Sequence, residues 1–381
     1  MKVLIAIDSF KGSLSSLDCS KAITEGIKDV YDNAEIITFP LADGGEGTVE
    51  ALVQATKGTF VEKEVIGPLG TLVPAVYGIL GNNHTAVIEV AAACGLPLVP
   101  ENKRNPYFTT TYGVGQLICD AIEKGCKEFV IGLGGSATND AGVGMLQALG
   151  FSFLDENNKE VSYGGYELQK IRAMDSSHVH HSIKNCTFKV ACDVTNPLHG
   201  KNGAAYIFGH QKGATTEMVK ELDAGLEHFA HVAFRELNKD VQNIAGAGAA
   251  GGLGAAFAGF LDAQLLSGVE LVLETIGLEE KISDVDIMIT GEGKLDGQTS
   301  MGKAPLGVAQ VAAKHDIPVI ALAGGVTKQA FTLNEMGITS FFSITNEPMS
   351  LEKAMDSTTT FDNLRMTTKQ LFRFLAAVKK C

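Results

Sequence analysis

The two ends of the chain share one pattern, in which a short apolar run is followed by a polar or glycine-rich turn and then by a helix. Residues 3–7 form the first such run, and residues 285–290 and 318–323 form two more. An uninterrupted apolar run such as 3–7 is typical of a strand that is buried on both faces of a parallel sheet. Together with strands expected at 35–39 and 340–344, these runs predict an α/β fold with a doubly wound parallel sheet of five strands. Helices are expected to begin after Ser15 or Ser16 and to cover 303–315 and 363–378.

The middle of the chain follows a different pattern. Residues 60–66, 75–80 and 85–90 are consecutive strand-like runs with short breaks of Gly, Pro or Asn, which is typical of hairpin or meander strands. Further helices and strands follow them. We therefore predict a second α/β domain over 61–269, inserted into a first domain that consists of 1–60 and 270–381.

The charge balance excludes some classes of partner. The chain has 44 acidic and 31 basic residues, a net charge of −13, and never more than two adjacent Lys or Arg. An acidic chain without a basic patch is a poor candidate for binding nucleic acid or an anionic membrane surface. An anionic small molecule would have to be held by a few local cations and backbone N–H groups.

Cysteine usage and hydropathy bear on the compartment. The seven cysteines are odd in number and form no C-x-x-C motif, which favours reduced thiols over a disulfide framework or a zinc ribbon. The longest uncharged apolar run, 245–261, is rich in Gly and Ala and is shorter than the roughly 20 residues that a membrane span needs. We expect a cytoplasmic protein with no transmembrane helix.

The first of three glycine-rich clusters, FVIGLGGSATNDAGVG, covers 129–144, after a predicted strand and before a predicted helix. Backbone N–H groups at the start of a helix suit phosphate groups. Gly132-x-Gly134-x-x-Ala137 also satisfies the dinucleotide fingerprint, with Asp155 at the end of the next strand. A nicotinamide-dependent dehydrogenase of a hydroxy acid is therefore one alternative, and a tight turn that serves packing is another.

The second cluster, TGEGKLDGQTSMGKAP, covers 290–305 and also lies between a strand and a helix. Its segment 297–303 spells G-x-x-x-x-G-K, but Ala304 stands where a P-loop needs Ser or Thr. Charged side chains are dense here, and ligands of open α/β sheets bind at the carboxyl ends of the strands. A third cluster, 245–256, follows a helical pattern, so ligand contact and helix packing are equally open there.

Carboxylates follow several of the predicted strands, namely Asp8, Asp43, Asp193 and Asp296. Together with Lys11 and Lys294 they suit phosphoryl transfer, which needs acids to hold Mg²⁺, cations to neutralise the phosphate, and one base near the attacking hydroxyl. For any single Asp, capping of a turn or helix is the alternative.

Seven blocks, distributed from end to end, make the chain resemble the bacterial type I glycerate kinases, the glycerate 2-kinase family. These blocks are IDSFKGSLSS (7–16), ADGGEGT (42–48), GLGGSATNDAG (132–142), ACDVTNPLHGKNGAAYIFGHQKGA (191–214), GAGAAGGLGAA (246–256), TGEGKLDGQTSMGKAP (290–305) and ITNEPMSLEKA (344–354). The resemblance implies ATP- and Mg²⁺-dependent phosphorylation of D-glycerate, usually to 2-phosphoglycerate. It also implies a Rossmann-like domain, with the flavodoxin-like strand order, that carries an inserted α/β domain and an active site in the cleft between them. It disfavours the dehydrogenase, while a non-catalytic metabolite-binding protein of kinase ancestry stays an alternative.

The resemblance and the motifs together give a set of expected roles. Nucleotide phosphates would lie against Gly134, Gly135, Ser136, Thr138, Gly291, Glu292 and Gly293. Candidates for binding glycerate are Ser9, Asp43, Arg104 and Lys212, and Mg²⁺ would be held by some of Asp8, Asp43, Asp193 and Asp296. Lys11 or Lys294 would neutralise the moving phosphoryl group, and either Asp193 or Asp296 would be the base. Whether the 2- or the 3-hydroxyl is attacked, and whether the chain is a monomer or a homodimer, is left open.

Overall fold

The computed structural model describes residues 1–378, which form two compact units. The first unit comprises Met1–Asp43, Glu50–Thr56 and the chain from Val272 onward, and the second comprises Gly44–Val49 and Lys57–Leu271. Residues 44–49, 57–60 and 270–271, which the sequence groups with the first domain, belong to the second unit. Cys381 lies outside the described residues, and the other six cysteines are free thiols. No helix within 1–378 is long and apolar enough to cross a membrane.

Strands and helices alternate along much of the chain. Within residues 1–378 the strands are β1 (Lys2–Ile7), β2 (Glu35–Pro40), β3 (Thr59–Ile66), β4 (Leu72–Ile79), β5 (Thr85–Glu89), β6 (Glu128–Gly132), β7 (Ser152–Leu154), β8 (Ala173–Asp175), β9 (Thr187–Ala191), β10 (Gln264–Leu266), β11 (Ile287–Leu295), β12 (Val319–Val326) and β13 (Ser340–Ser343). The α-helices of the same residues are α1 (Ser16–Lys28), α2 (Thr48–Thr56), α3 (Ala91–Cys94), α4 (Tyr112–Glu123), α5 (Val143–Ala148), α6 (Ala204–Phe208), α7 (Thr216–Leu237), α8 (Leu253–Phe260), α9 (Gly268–Thr275), α10 (Ala304–Ala313), α11 (Thr332–Glu335), α12 (Leu351–Met355) and α13 (Ser357–Val378).

The sheet of the first unit has the order β13–β12–β11–β1–β2, and every neighbouring pair is parallel. Counted within the unit alone, this is the flavodoxin-like order, so the predicted doubly wound sheet is confirmed. Residues 3–7 of the interior strand β1 are fully buried, which explains their uninterrupted apolar sequence. Helices α1 and α13 pack beside this sheet, where Ile23, Ile27 and Phe372 join its core.

Strand β11 is longer than the sequence predicts. The expected strand ends at 290 and opens into a turn, whereas β11 continues to Leu295 and contains both Gly291 and Gly293. Its partner β12 is extended in the same way, and Lys294 pairs with Gly325. A Cβ on Gly291 would overlap the carbonyl oxygen of Leu322, so glycine lets the two strands approach each other here. The prediction that this glycine lies in a turn is wrong, because cross-strand pairing extends past it.

The second unit contains a mixed sheet in the order β10–β9–β6–β5–β4–β3. Strands β3, β4 and β5 pair antiparallel, which confirms the predicted hairpin strands, and the remaining pairs are parallel. Strands β7 and β8 form a separate antiparallel pair. The unit is therefore α/β, as the sequence predicts, and its core lies between this sheet and helices such as α4 and α7.

Candidate functional site

A cavity of about 660 Å³ lies at the carboxyl ends of the first unit's strands. Its charged lining residues are Asp8, Lys11, Glu292, Lys294, Asp296 and Lys303. They come from the ends of β1 and β11 and from the start of α10, which is the edge where parallel α/β sheets bind ligands. The volume lies within the range of about 300–1,000 Å³ that is usual for pockets holding drug-sized ligands.

Asp8 follows β1 directly and is only 4% exposed. Its backbone N–H donates to the Gly291 carbonyl (3.0 Å), and its Oδ1 accepts from the Ser9 N–H (2.6 Å). Lys11 Nζ lies 2.6 Å from Asp43 Oδ2, which forms an ion pair beside Asp8. Burial, reinforced by the charge of Asp43 and opposed by Lys11, raises the pKa of Asp8 to about 7. Asp8 therefore exchanges its proton near neutral pH.

Two further carboxylates come from β11 and the turn after it. Glu292 accepts a hydrogen bond from the Thr299 hydroxyl (2.6 Å) and lies 3.5 Å from Lys303 Nζ, while burial raises its pKa. Asp296 accepts from the Gln298 N–H (2.9 Å), which together with Lys294 lowers its pKa. Asp296 is consequently ionised at neutral pH and can hold a cation or accept a proton.

The first glycine cluster lies in the second unit, and its strand is not followed directly by a helix. β6 ends at Gly132, but α5 begins only at Val143. The first N–H groups near that helix donate to the buried Asp140 carboxylate, from Gly142 at 3.2 Å and Gly144 at 3.4 Å. The protein's own carboxylate thus takes the position that an anion would have at this helix start.

The dinucleotide fingerprint in this cluster also lacks its structural context. Asp155, its proposed acidic partner, accepts the N–H groups of Asn157 (2.8 Å) and Lys159 (2.9 Å) and so caps a tight turn. A strand followed at once by a helix is what the fingerprint requires, and the residues after β6 do not provide it. The dehydrogenase alternative therefore has no support in the structure.

One buried cluster of the second unit contains Ser136, Thr138 and Lys212, whereas Gly134 and Gly135 are exposed and Arg104 is half-buried. Lys212 is 2% exposed and donates to Ser136 Oγ (2.9 Å) and to the Thr138 carbonyl (2.7 Å). Among the described residues, the Thr138 hydroxyl, both polar atoms of the Asn139 side chain and Arg104 Nε are buried without a hydrogen-bond partner. These hydrogen bonds join Lys212, predicted to bind glycerate, to Ser136 and Thr138, which are predicted to bind the nucleotide.

The candidate residues are divided between the two units. The first unit holds Asp8, Ser9, Lys11, Asp43, Gly291, Glu292, Gly293, Lys294 and Asp296, and the second holds Arg104, Gly134, Gly135, Ser136, Thr138, Asp193 and Lys212. Asp193 follows β9, is exposed, and accepts from the Gly268 N–H (2.9 Å). Within 1–378 no group of three or more His, Cys, Asp or Glu is spaced to hold a metal ion. Of the four carboxylates proposed for Mg²⁺, Asp8 and Asp296 line the cavity of the first unit.

The chain is similar to known proteins over nearly its whole length. The model of the Glycerate kinase family matches residues 3–376. The chain belongs to the glycerate kinase family. It is 46% identical to "Glycerate 2-kinase" of Escherichia coli (strain K12), over 99% of this chain and 98% of that protein. It is 47% identical to "Glycerate kinase" of Bacillus subtilis (strain 168), over 93% of each chain.

A solved structure is similar over its whole length. A crystal structure assigned to glycerate kinase 2 of Salmonella typhimurium LT2 covers 100% of both chains with a TM-score of 0.92 and 45% identity. Membership of the glycerate kinase family makes this chain a kinase, so the expected enzyme class is confirmed and the dehydrogenase is excluded.

Several residues that line the cavity of this kinase were not given a role from the sequence. They are Phe10, Ser13, Lys303, Gly324, Gly325, Ile344, Thr345, Met349, Leu351, Ala354, Met355, Thr360 and Asn363. Gly324 and Gly325, which follow the predicted strand 318–323, could have been predicted to line the cavity. The reason is that the carboxyl ends of neighbouring parallel strands meet at one edge of a sheet. The resemblance block 344–354 was a second signal, although no chemistry-bearing side chain drew attention to it.

Burial of Lys212 predicts a pH-dependent contribution to stability. Burial lowers the pKa of Lys212 from 10.5 to about 8, and the nearby Asp140 carboxylate opposes this shift. The unfolded chain therefore binds more protons between pH 8 and 10.5, and the folded state gains stability as pH rises through that window. Relative to Lys212→Met, the free energy of unfolding of the wild type should increase by about 1 kcal/mol from pH 8 to pH 9. Urea denaturation of both proteins at the two pH values measures this, and an unchanged difference would contradict it.

Proposed function

We propose that this chain transfers the γ-phosphoryl group of ATP to the 2-hydroxyl of D-glycerate, releasing ADP and 2-phosphoglycerate. The observation that carries the proposal is the cavity at the carboxyl ends of the first unit's strands, where three carboxylates and three lysines of a glycerate kinase family member lie together. Phosphoryl transfer relies on positioning and charge neutralisation more than on covalent chemistry by the protein. The name of the Escherichia coli relative, a glycerate 2-kinase, supports the choice of hydroxyl.

The lysines are proposed to act on the phosphates. Lys11 and Lys294 line the cavity and are largely exposed, although each already lies near a carboxylate. Their ammonium groups would neutralise the negative charge on the transferred phosphoryl group as its bond to the leaving oxygen breaks. Backbone N–H groups near Gly293 would contact phosphates in the same cavity. Gly134, Gly135, Ser136 and Thr138 of the second unit, and Gly291 and Glu292 of the first, stay predictions for nucleotide binding.

The donor set of the cavity fits Mg²⁺. This ion prefers carboxylate oxygens and is usually held by one or two carboxylates together with substrate phosphates. Asp8 and Asp296 line the cavity and supply two such carboxylates without a third protein ligand, and Asp43 and Asp193 are further candidates. Held there by Asp8 and Asp296, Mg²⁺ would supply positive charge that neutralises the charge developing on the phosphates.

The remaining roles concern glycerate and its proton. We propose that Arg104 or Lys212 pairs with the glycerate carboxylate, that Ser9 and Asp43 contact its hydroxyls, and that Asp193 or Asp296 accepts the proton of the attacking hydroxyl. An ionised carboxylate is suited to that step, and the lowered pKa of Asp296 is compatible with it. We also propose a cytoplasmic location, which the free thiols of the six described cysteines support.

The reaction itself can be tested with purified protein. ADP release in the presence of ATP, Mg²⁺ and D-glycerate, followed by a coupled assay, should depend on both D-glycerate and Mg²⁺. Phosphorus NMR should show a single new phosphomonoester at the 2-position of glycerate. The matched controls omit glycerate or replace ATP and Mg²⁺ with NADH, and neither should give turnover. Release of ADP that is independent of glycerate would contradict the proposal, and a 3-phosphoglycerate signal would contradict the choice of hydroxyl.

A further inference from the structure

One part of the cavity lining is apolar. Ile344, Met349, Leu351, Ala354 and Met355 come from the segment after β13 and from α12, and we call them the apolar wall. Leu351 is 76% exposed and Met355 is 40% exposed, so both present apolar surface to the solvent. Leaving such surface in water is unfavourable, and a ligand that covers it gains roughly 25 cal/mol per Å² of apolar area.

The apolar wall is held in a defined position by hydrogen bonds. Ser350 caps α12 by accepting from the Lys353 N–H (3.2 Å). The Thr360 hydroxyl donates to the Ala354 carbonyl (3.0 Å) and also bonds to the Ser13 hydroxyl (2.6 Å), which belongs to the loop after β1. The wall is thus tied to the loop that carries Lys11, and a site with both apolar and cationic parts is built into one unit.

Met355 borders the cationic part directly. A Cβ built on Gly12 would lie 3.0 Å from Met355 Cε, so this methionine touches the loop immediately after Lys11. Lys294 and Lys303 line the same cavity, as do Gly293, Gly324 and Gly325, whose missing side chains leave the backbone accessible. One part of the cavity is therefore lined by lysines and by exposed glycine backbone, and the apolar wall lies beside that part.

The size and the chemistry of the cavity indicate its occupant. A three-carbon hydroxy acid is polar throughout and would fill only a small part of about 660 Å³. A nucleoside triphosphate is larger and has phosphates at one end and a planar aromatic base at the other. Methionine side chains adapt to irregular shapes and make favourable contacts with aromatic rings.

We propose that the apolar wall is the adenine subsite of the phosphate donor, with Met349, Leu351 and Met355 against the faces of the base. Thr345 and Asn363 line the same cavity and supply hydroxyl and amide groups for the edge of the base. The inference rests on the proposed function for the identity of the nucleotide. The inference goes beyond the proposed function because it assigns binding of the base to residues 344–355, which have no catalytic role in that proposal.

A comparison of ATP with inorganic tripolyphosphate, which lacks the base, tests the subsite. The double variant Leu351→Gln/Met355→Gln removes apolar surface without adding charge, and Met366→Gln is the matched control because Met366 is 46% exposed and lies outside the cavity lining. Calorimetric titration should show that the double variant raises the Kd for ATP about tenfold, the effect of losing roughly 50 Å² of apolar contact. The Kd for tripolyphosphate should stay within about twofold, and the control should bind both as the wild type does.

Methyl NMR tests the same contact without any variant. In protein labelled at the methionine methyl groups, ATP should shift the Met349 and Met355 signals upfield by the ring current of the base, whereas tripolyphosphate should not. The Met366 signal should stay in place. Equal shifts with both probes, or equal loss of affinity for both in the double variant, would overturn the subsite.

Turnover and ATP binding, measured together, distinguish a failure of the adenine subsite from a failure of the proposed reaction. Glycerate-dependent ADP release with an unchanged KM for ATP in the double variant would overturn the subsite and leave the reaction standing. Base-dependent binding without glycerate-dependent turnover would support the subsite and overturn the reaction.

Discussion

Replacing Asp296 or Asp193 by asparagine is expected to lower kcat by at least ~10²-fold in one of the two variants, which is the usual scale of general-base catalysis. Asparagine keeps the size of aspartate, and its amide oxygen can still accept the Gln298 N–H at position 296 or the Gly268 N–H at position 193. The local fold should therefore be retained. The KM for glycerate should change by less than about threefold, because the carboxylate acts on the proton and not on substrate affinity.

The structure gives each carboxylate a distinct environment for this test. Asp296 lines the cavity beside Lys294, whose Nζ lies 3.4 Å away, and is ionised at neutral pH. Asp193 follows the parallel strand β9 in the second unit. Asp316→Asn is a suitable control, since Asp316 is exposed and has the left-handed backbone that asparagine tolerates well. Turnover above about one tenth of wild type in both test variants would end the assignment of the base to either residue.

Local signals explain why much of the first unit's sheet could be predicted. Each buried parallel strand needs its own apolar run, and residues 3–7 are fully buried. Helix α1 begins after Ser15 as expected, since the Ser15 hydroxyl accepts the Asp18 N–H (3.1 Å). The gathering of Asp8, Glu292 and Asp296 at one edge likewise follows from the parallel order of the strands.

The bounds of helices and strands that begin or end in polar or glycine residues were predicted less accurately. Helix α13 begins at Ser357, six residues before the apolar pattern starts, because Asp356 accepts the Thr359 N–H (2.8 Å) and caps it. The four residues STTT have no apolar periodicity, so no apolar pattern predicts this first turn of the helix. Strand β11 was cut short for a related reason, since glycines inside a strand read as a turn.

The other features that could not be predicted from the sequence depend on contacts between residues that are far apart in the chain. The bond from Lys212 to Ser136 joins residues 76 apart, and the bonds from Thr111 to Asp140 join residues 29 apart. No motif spacing predicts such pairs, so the hydrogen bonds of the buried Lys212 ammonium group to Ser136 and to the Thr138 carbonyl could not be predicted. The apolar wall was missed because exposed Leu and Met residues are common on protein surfaces and gain meaning only beside a cavity.

Gly291→Ala is expected to lower the free energy of unfolding by about 3 kcal/mol, at the upper end of what overpacking costs. The added Cβ would overlap the Leu322 carbonyl oxygen and lie 3.1 Å from Ile7 Cδ1, so β11 would have to move away from β12. Urea denaturation midpoints measure the loss. Gly297→Ala is the matched control, because its Cβ would meet nothing closer than 3.8 Å and its stability should match wild type.

This pair of variants also separates two roles for the same glycine. If Gly291 serves strand packing, alanine lowers stability and disturbs Asp8, whose N–H donates to the Gly291 carbonyl at 3.0 Å. If Gly291 serves only the close approach of a nucleotide phosphate, as the sequence suggests, alanine raises the Kd for ATP and leaves the denaturation midpoint unchanged. The second outcome would contradict the packing argument, because a strand that accepts a Cβ at this position cannot be as close to its neighbour as β11 is to β12.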